Sequence, residues 1–310
     1  MSMMATQDEI SLTYDWMDEI FRLSLGETGD ISGAFYDGDY SKTLEQAQKD
    51  KHTWILDGID FSPGFRVLDI GCGWGNMLNC IKQEGGNALG LTLSSAQATS
   101  CRRNELGVMV RDWKDIPLGE LGKFDGIISI GAFEHFCSID EYLAGKQVKI
   151  YMDFFRFCAS HLSKGGRIYL QTMTWGKRVP DIEKDVSLSA DEGTDAKILA
   201  RLRLFYPGSW LPLGKQQIIE CAHPYSKLIH ANNGRLDYIQ TLEEWKKATD
   251  RCFIDCLRDP SKWSVIGKLG LNFFKDRAFA YRLKSYLCND QREVFERNIF
   301  DHYRMFFEKK

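Results

Sequence analysis

Residues Arg66-Val67-Leu68-Asp69-Ile70-Gly71-Cys72-Gly73-Trp74-Gly75 are an apolar run that empties into a glycine-rich turn. Val67, Leu68 and Ile70 suit a parallel strand buried on both faces. Gly71, Gly73 and Gly75 then remove each Cβ that would keep a ligand from the backbone N–H groups at a helix start. Such a turn is the seat of a nucleotide-like cofactor. The alternative is a tight turn with no ligand, against which stands the cost of three closely set glycines where a helix must begin.

The spacing selects among cofactors. A dinucleotide fingerprint has glycines at its first, third and sixth positions and an acidic residue for the ribose after the second strand. Here the sixth position is Asn76, and the next apolar run, Ala88-Leu89-Gly90-Leu91-Thr92-Leu93, ends without Asp or Glu. A glycine at the fifth position fits a loop around one nucleoside with an amino-acid tail, as in S-adenosylmethionine, where no pyrophosphate has to be cradled.

A chain of 310 residues can bury a substantial core, and its net charge of -3 with mixed signs offers no basic field for nucleic acid. Nine cysteines without a CxxC pair, and no charged segment leading into an apolar stretch at the start, predict reduced thiols and a cytoplasmic setting. No apolar run is long enough to span a bilayer, so contact with a membrane would be peripheral.

Short apolar runs alternate with helix-like stretches, the pattern of a doubly wound, mostly parallel α/β sheet. The pattern predicts strands near 66–71, 88–93, 107–111, 124–130 and 166–174, helices near 74–84, 94–104 and 148–162, and a last, antiparallel strand around Tyr303–Phe307. Gly165-Gly166 is read as the cap of the preceding helix. The whole chain, 1–310, reads as one domain: a helical N-terminal cover over 1–57 with Ser41 or Thr43 as a cap, a cofactor-binding core over 58–174, a substrate-cover insertion over 175–235, and C-terminal helices with the last strand over 236–310. Ligands in such sheets sit beyond the strand C-termini, which puts Gly71, Thr92 and Gly131 on one rim.

Three blocks carry a resemblance. Asp69-Ile70-Gly71-Cys72-Gly73-Trp74-Gly75, Gly90-Leu91-Thr92-Leu93-Ser94 with Gln97, and Ser129-Ile130-Gly131-Ala132-Phe133-Glu134-His135-Phe136 are similar to the cyclopropane-fatty-acid and mycolic-acid synthases, methyltransferases that use S-adenosylmethionine. The likeness runs from about Ser32 to the C-terminus and includes Thr43-Leu44-Glu45-Gln46-Ala47-Gln48. It implies a seven-stranded Rossmann-like methyltransferase sheet. It also implies that the Gly71–Gly75 loop holds the methionine portion, that Thr92 and Gln97 take the ribose hydroxyls, and that Trp113 lies beside the adenine. Ser32 would approach from the N-terminal cover, and Asp69, Leu93, Asp112 and Ile130 complete the cofactor set. The alternative for Trp113 is an ordinary core aromatic, and the place beside the adenine is the preferred reading.

A sulfonium methyl is electrophilic, so a nucleophile held in line supplies most of the catalysis. An alkene nucleophile leaves a carbocation, and the site must then stabilise positive charge and remove a proton without admitting water. Glu134, at the edge of the fourth strand, is the carboxylate placed for that; its alternative is to complement the following helix N-terminus. His135 alternates with it and is expected to point away. The resemblance implies that Glu134 and Tyr238 help hold a bicarbonate ion that takes the proton. Two of the family's further ligands are absent: Gly33 stands for its cysteine and Gln171 for its histidine. Gln171 can hydrogen-bond an anion but cannot change charge near neutral pH. Methyl transfer loses nothing by these departures, whereas cyclopropane formation loses two ligands.

The expected activity is therefore methyl transfer to an unsaturated or hydrophobic acceptor, foremost a lipid acyl chain, giving a cyclopropane or a methyl branch. Two other readings stand beside it: carbon or nitrogen methylation of a small specialised metabolite, and a non-catalytic protein that binds the cofactor or a lipid. Phe205, Tyr206, Trp210, Leu211 and Phe273-Phe274 could line a tunnel for an acyl chain or form plain core. Arg201 with Arg203, and Lys177 with Arg178, could meet a diphosphate or simply be solvated. Lys146, Lys149 and Arg156 read as an exposed helix face. Asp301-His302 reads as structural, and Cys252 and Cys256 as core thiols, so no metal site is expected.

Overall fold

The computed structural model describes residues 30–181, 184–206, 208–259, 263, 267, 274 and 277–310. Strand β1 (Arg66–Ile70) buries four successive side chains, as a strand covered on both faces must. It pairs in parallel with β2 (Asn87–Thr92) on one side and β4 (Phe124–Ile130) on the other. Strand β3 (Gly107–Val110) continues the sheet beyond β2, and β5 (Leu162–Trp175) continues it beyond β4, both in parallel. Strand β7 (Phe300–Lys309) lies antiparallel between β5 and the edge strand β6 (Ser226–Asn233). The seven strands run in the order β3-β2-β1-β4-β5-β7-β6.

Alternating side chains serve the two faces. Leu68, Ile127 and Ile168 pack with Phe154, Phe155 and Cys158 of α5 (Gln147–His161). On the other face Val67, Ile128 and Tyr169 pack with Ile55 and Leu56 of α1 (Leu44–Gly58) and Met77 and Ile81 of α2 (Asn76–Gln83). Helix α3 (Ser95–Arg103) completes the cofactor-side half, capped by Ser94, whose hydroxyl accepts from Gln97 N.

A separate core stands above the sheet. Strand β4 ends at Ile130, opposite Gln171, while β5 runs on to Trp175 paired with β7. Met173 and Trp175 of that overhang pack with Leu202 and Phe205 of α6 (Asp195–Phe205), Leu242 of α8 (Arg235–Arg258) and Phe295 of α10 (Asp290–Glu296). Arg201 ties α6 to α10 through a buried bidentate pair with Asp290, Nε to Oδ2 and Nη2 to Oδ1 both at 2.6 Å. Helices α4 (Ile139–Leu143), α7 (Lys215–Ala222) and α9 (Arg277–Leu287) complete the described elements.

The mostly parallel seven-stranded sheet and the antiparallel last strand match the sequence expectation; the strand order is supplied by the structure. Several local readings change. Residues 30–43 carry no helix; Thr43, not Ser41, caps α1 by accepting from Gln46 N at 3.2 Å, and the part of the predicted cover before residue 30 lies outside the described residues. Gly165-Gly166 does not cap a helix. Helix α5 ends at His161, and residues 163–166 loop out of β5 where its register against β4 jumps from Phe124↔Leu162 to Gly126↔Arg167. The stretch 175–235, read as one insertion, divides: α6 belongs to the cover, whereas β6 becomes the sheet edge and α7 packs Ile218 and Ala222 into the α5 face. Polar positions on β6 hid it, because an edge strand needs only one buried face.

The last residue of α1 shows how closely that helix sits on the sheet. A Cβ on Gly58 would lie 2.0 Å from Phe306 Cζ, in the middle of a buried ring. Gly58→Ala should therefore destabilise the protein by about 1–3 kcal/mol, despite alanine's better helix propensity. Denaturant titration monitored by circular dichroism measures it.

Candidate active site

A cavity opens at the C-terminal ends of β1, β2 and β4. Its walls include Asp69 from β1, Thr92 from β2, Ile130 from β4, Gly71 and Gly73 from the glycine loop, and Ser32 from the N-terminal segment. Leu93, Gln97, Asp112 and Trp113 line it as well. The structure thus brings together every residue of the expected cofactor set except Gly75.

The three glycines do different work. At Gly73, with φ +53, a Cβ would meet nothing within 4 Å, so this position leaves open space toward the cavity. A Cβ on Gly71 would come within 2.4 Å of Ala132 Cβ, so this glycine lets the loops after β1 and β4 approach each other. Gly75 is the left-handed residue before α2, and its missing side chain faces Leu106 and Cys101 in the core. Reading all three as ligand access was too simple.

Two orphaned atoms test what the cavity would hold. Asp69 is 2 % exposed and its Oδ1 has no hydrogen-bond partner. Burial pushes its carboxyl up to about 8, with the neighbouring Asp30 among the groups adding to the shift. A carboxyl in that state asks for a cationic partner, and the ammonium of an S-adenosylmethionine tail is one. Trp113 is buried among Phe136, Phe154 and Phe157, yet Nε1 finds no partner; it is both core aromatic and cavity wall. Thr92 Oγ1 donates to Gln97 Oε1 at 2.7 Å, and Asp112 accepts from Lys114 N, so the cavity's polar groups are held in place by local bonds.

A second cavity lies on the far side of Ile31, Ser32, Gly131 and His135, which line both. Glu134 faces it from a one-turn 3-10 helix, 3 % exposed, and accepts a hydrogen bond from Thr172 Oγ1 at 2.9 Å. Burial raises its carboxyl to about 7 even though Thr172 works in the other direction. His135 corrects the expectation: it does not point away but borders both cavities, with Nδ1 2.7 Å from Ser209 Oγ, and burial lowers its ring to about 4.

Gln171 and Gly33 prove to be partners. Gln171 accepts from Tyr169 OH at 2.7 Å and donates from Nε2 to Gly33 O at 3.0 Å. A Cβ on Gly33 would stand 2.8 Å from Tyr238 Cδ2 and 3.3 Å from His302 Cε1, so a cysteine has no room there. The Tyr238 ring stacks on His302 at 4.8 Å and receives Gln291 Nε2 at its hydroxyl, 3.4 Å away. His302, read from the sequence as structural, thus borders the second cavity, 2 % exposed and with Nδ1 unpartnered. Only pairing with β5, where His302 stands opposite Met173, brings it there.

A third space continues past Glu134 and His135 between Leu199, Trp210, Leu211 and Val186. Of the proposed tunnel set, Phe205 borders the second cavity, Trp210 and Leu211 the third, and Tyr206 both. Phe274 is 87 % exposed, and Phe273 lies outside the described residues. Arg203 lines the third space, but Arg201 is consumed by Asp290 and Glu192, and Arg178 pairs with Asp185. Lys149 and Arg156 both pair with Asp153 on an exposed face. Cys252 is half-buried, the Cys256 side chain lies outside the described residues, and no metal-binding group of His, Cys, Asp or Glu occurs among the described residues.

A family model described as mycolic acid cyclopropane synthetase matches residues 2–253. Cyclopropane mycolic acid synthase 3 of Mycobacterium tuberculosis is 31% identical over 253 residues, covering 76% of this chain and 80% of that protein. Among solved structures, the cyclopropane synthase MmaA2 from Mycobacterium tuberculosis superposes with a TM-score of 0.73 at 24% identity, covering 99% of each chain. The mycolic acid cyclopropane synthase CmaA1, complexed with SAH and CTAB, gives 0.71 at 25% identity, again covering 99% of each.

Two outcomes follow from the buried carboxyls. An ammonium beside Asp69 favours its ionised form, so binding of S-adenosylhomocysteine near pH 7 should release a proton, and affinity should rise from about pH 6 to about pH 8. Calorimetry in buffers of different ionisation enthalpy reads the proton, and Asp69→Asn should abolish it. Glu134 is raised on folding, so its neutral form contributes stability that is complete below about pH 4.5 and lost as pH rises through about 7. Glu134→Gln should leave stability unchanged at acid pH and raise it by up to about 3 kcal/mol above pH 7, in thermal melts across that range.

Proposed function

Because the chain belongs to the mycolic acid cyclopropane synthetase family, and is thus an S-adenosylmethionine-dependent methyltransferase, we propose that it methylates an alkene carbon of a lipid acyl chain. The observation that carries this reading is the junction of the two cavities: the wall of Ile31, Ser32, Gly131 and His135 is shared, and Glu134 stands buried just beyond it. The apolar third space adds support, since a chain reacting away from its end needs room on both sides of Glu134.

Bound S-adenosylmethionine supplies an electrophilic methyl group. The residues that would hold it are Asp69 at the amino-acid tail, Thr92 and Gln97 at the ribose, and Trp113 at the base, with Ser32 closing over them. Glu134 would oppose the positive charge that passes from the sulfonium to the acceptor as the alkene electrons form the new C–C bond and the S–CH3 bond breaks to leave S-adenosylhomocysteine, and Thr172 fixes the orientation of that carboxylate. Balanced near neutrality, Glu134 is also suited to take the proton that leaves. The surrounding Leu202, Phe205, Leu242 and Trp245 keep water from the cation. This reading needs no bicarbonate: Gln171 is engaged with Gly33 O, and the space beside Gly33 is filled by Tyr238 and His302. Cytoplasmic location and peripheral contact with a bilayer belong to the same reading; no helix among the described residues is long and apolar enough to cross a membrane.

Incubation with methyl-labelled cofactor and a lipid extract should place label in acyl chains, and proton NMR of the product separates a cyclopropane from a methyl branch. Because the ionised Glu134 is required, kcat/KM for the acceptor at saturating cofactor should climb about tenfold per pH unit below about 7 and level off above it. Glu134→Gln should reduce turnover by at least about a hundredfold with little change in S-adenosylhomocysteine affinity. Label confined to small polar molecules would overturn the acyl acceptor, and unchanged turnover in the variant would remove Glu134 from the chemistry.

A further inference from the structure

One stretch of chain, residues 30–33, supplies Ile31 and Ser32 to the wall that the two cavities share, and Gly131 and His135 supply the rest. Asp30 lines only the first cavity, Ile31 and Ser32 line both, and Gly33 lines only the second. Its downstream end is tied to the sheet and α8: Gly33 O accepts from Gln171, and Ala34 N donates to Thr241 Oγ1 at 3.0 Å. Its upstream end is gripped by one turn of α1. Gln48 Nε2 donates to Ser32 O at 2.8 Å and to Asp30 O at 3.2 Å, and His52 Nε2 lies 2.8 Å from Asp30 Oδ2.

At the centre of that grip is Lys51, wholly buried and bordering neither cavity. Its ammonium donates to Asp30 Oδ2 at 2.6 Å, to Ser32 Oγ at 2.5 Å and to Gln48 Oε1 at 2.5 Å, which uses all three of its donors. Ser32 Oγ in turn donates to Asp30 Oδ1 at 2.7 Å. Against the cost of burial, Lys51 and His52 hold the Asp30 carboxyl well below the usual carboxylate range. A buried lysine is costly unless fully paired. Placing one here fixes at once a backbone-gripping glutamine, a cavity-lining serine and a cavity-lining carboxylate.

We propose that Lys51 is a positioning residue for the cofactor: through Asp30, Ser32 and Gln48 it holds the wall between the cofactor and acceptor cavities, so that binding in the first cavity depends on a side chain that never touches the ligand. The proposal rests on the reading of the first cavity as the cofactor site. It also accounts for the pattern on α1, where the buried stripe Ala47, Gln48, Lys51, Ile55 interrupts an apolar face with two polar residues.

S-adenosylhomocysteine binding, measured by calorimetry on the full chain, tests it without any acceptor. Lys51→Met should remain cooperatively folded and bind at least about tenfold more weakly, Ser32→Ala should lose less, and the two together should be no worse than Lys51→Met alone. If Lys51 served only to neutralise Asp30, adding Asp30→Asn to Lys51→Met would restore affinity; restoration overturns the proposal, and so does wild-type affinity in Lys51→Met. Hydrogen exchange on the unmodified protein decides even if the variant fails to fold. S-adenosylhomocysteine should protect the amides of residues 30–34, and exchange unaltered by the ligand overturns the proposal. Absence of any binding to the unmodified protein overturns the cofactor cavity itself and the proposal with it, a failure distinguishable from weak binding confined to the variants.

Discussion

Strand β5 continues for four residues, Thr172 to Trp175, past the point where its parallel neighbour β4 ends, and pairs with β7 throughout. That overhang has no sheet beside it on the β4 side, so its inward side chains need other cover. Met173 and Trp175 find it in α6, α8 and α10, which build a second core above the sheet. The cavity that holds Glu134 is the corner left between the short strands and the long one. Glu134 enters it from the loop after β4, Thr172 meets it from the overhang, and His302 arrives opposite Met173 on β7. A β5 that stopped with β4 would remove the floor of the cover and the corner together.

Buried charge divides this protein into support and site. Arg201 with Asp290 and Arg304 with Asp237 are buried and closely paired, as is Lys51 with the part-buried Asp30, and each pair joins separate elements or segments of the chain. Such pairs bring little net stability against burying apolar groups, but breaking one is expensive, which makes them effective fasteners. Asp69 and Glu134 are the opposite case. Both are buried carboxyls that have no ion-pair partner among the described residues, and burial raises them to about 8 and about 7. One stands in each of the two adjoining cavities, where a cationic ligand and a cationic transition state would supply the missing counter-charge.

Much of this was legible in the chain. Continuous apolar runs ending in glycine or in Thr-Leu-Ser marked β1, β2 and β4 and the rim they form, because a strand buried on both faces leaves few other ways to write its sequence. The expected cofactor residues other than Gly75 line one cavity, since most of them lie at or just past the C-terminal ends of parallel strands. Edge strand β6 escaped notice because its side chains are half-solvated. Asp30, Lys51 and His52 escaped because nothing local announces that a helix and a preceding coil share an ion pair with a buried lysine. Gly33 and Gln171, read as lost ligands, proved to be bonded to each other, a relation 138 residues apart in sequence.

The amino-acid sequence by itself determined the parallel sheet, the glycine loop and the class of cofactor, because strand burial, φ freedom and helix starts are local requirements met by neighbouring residues. Tertiary structure alone decided which charges are quenched and which stay poised, that Gly75 serves the core while Gly73 serves the cavity, and that His302 and Lys51 belong to the site's surroundings. Those outcomes depend on which distant groups share a low-dielectric interior, and the chain settles that only when β5 and β7 pair and the cover closes over them.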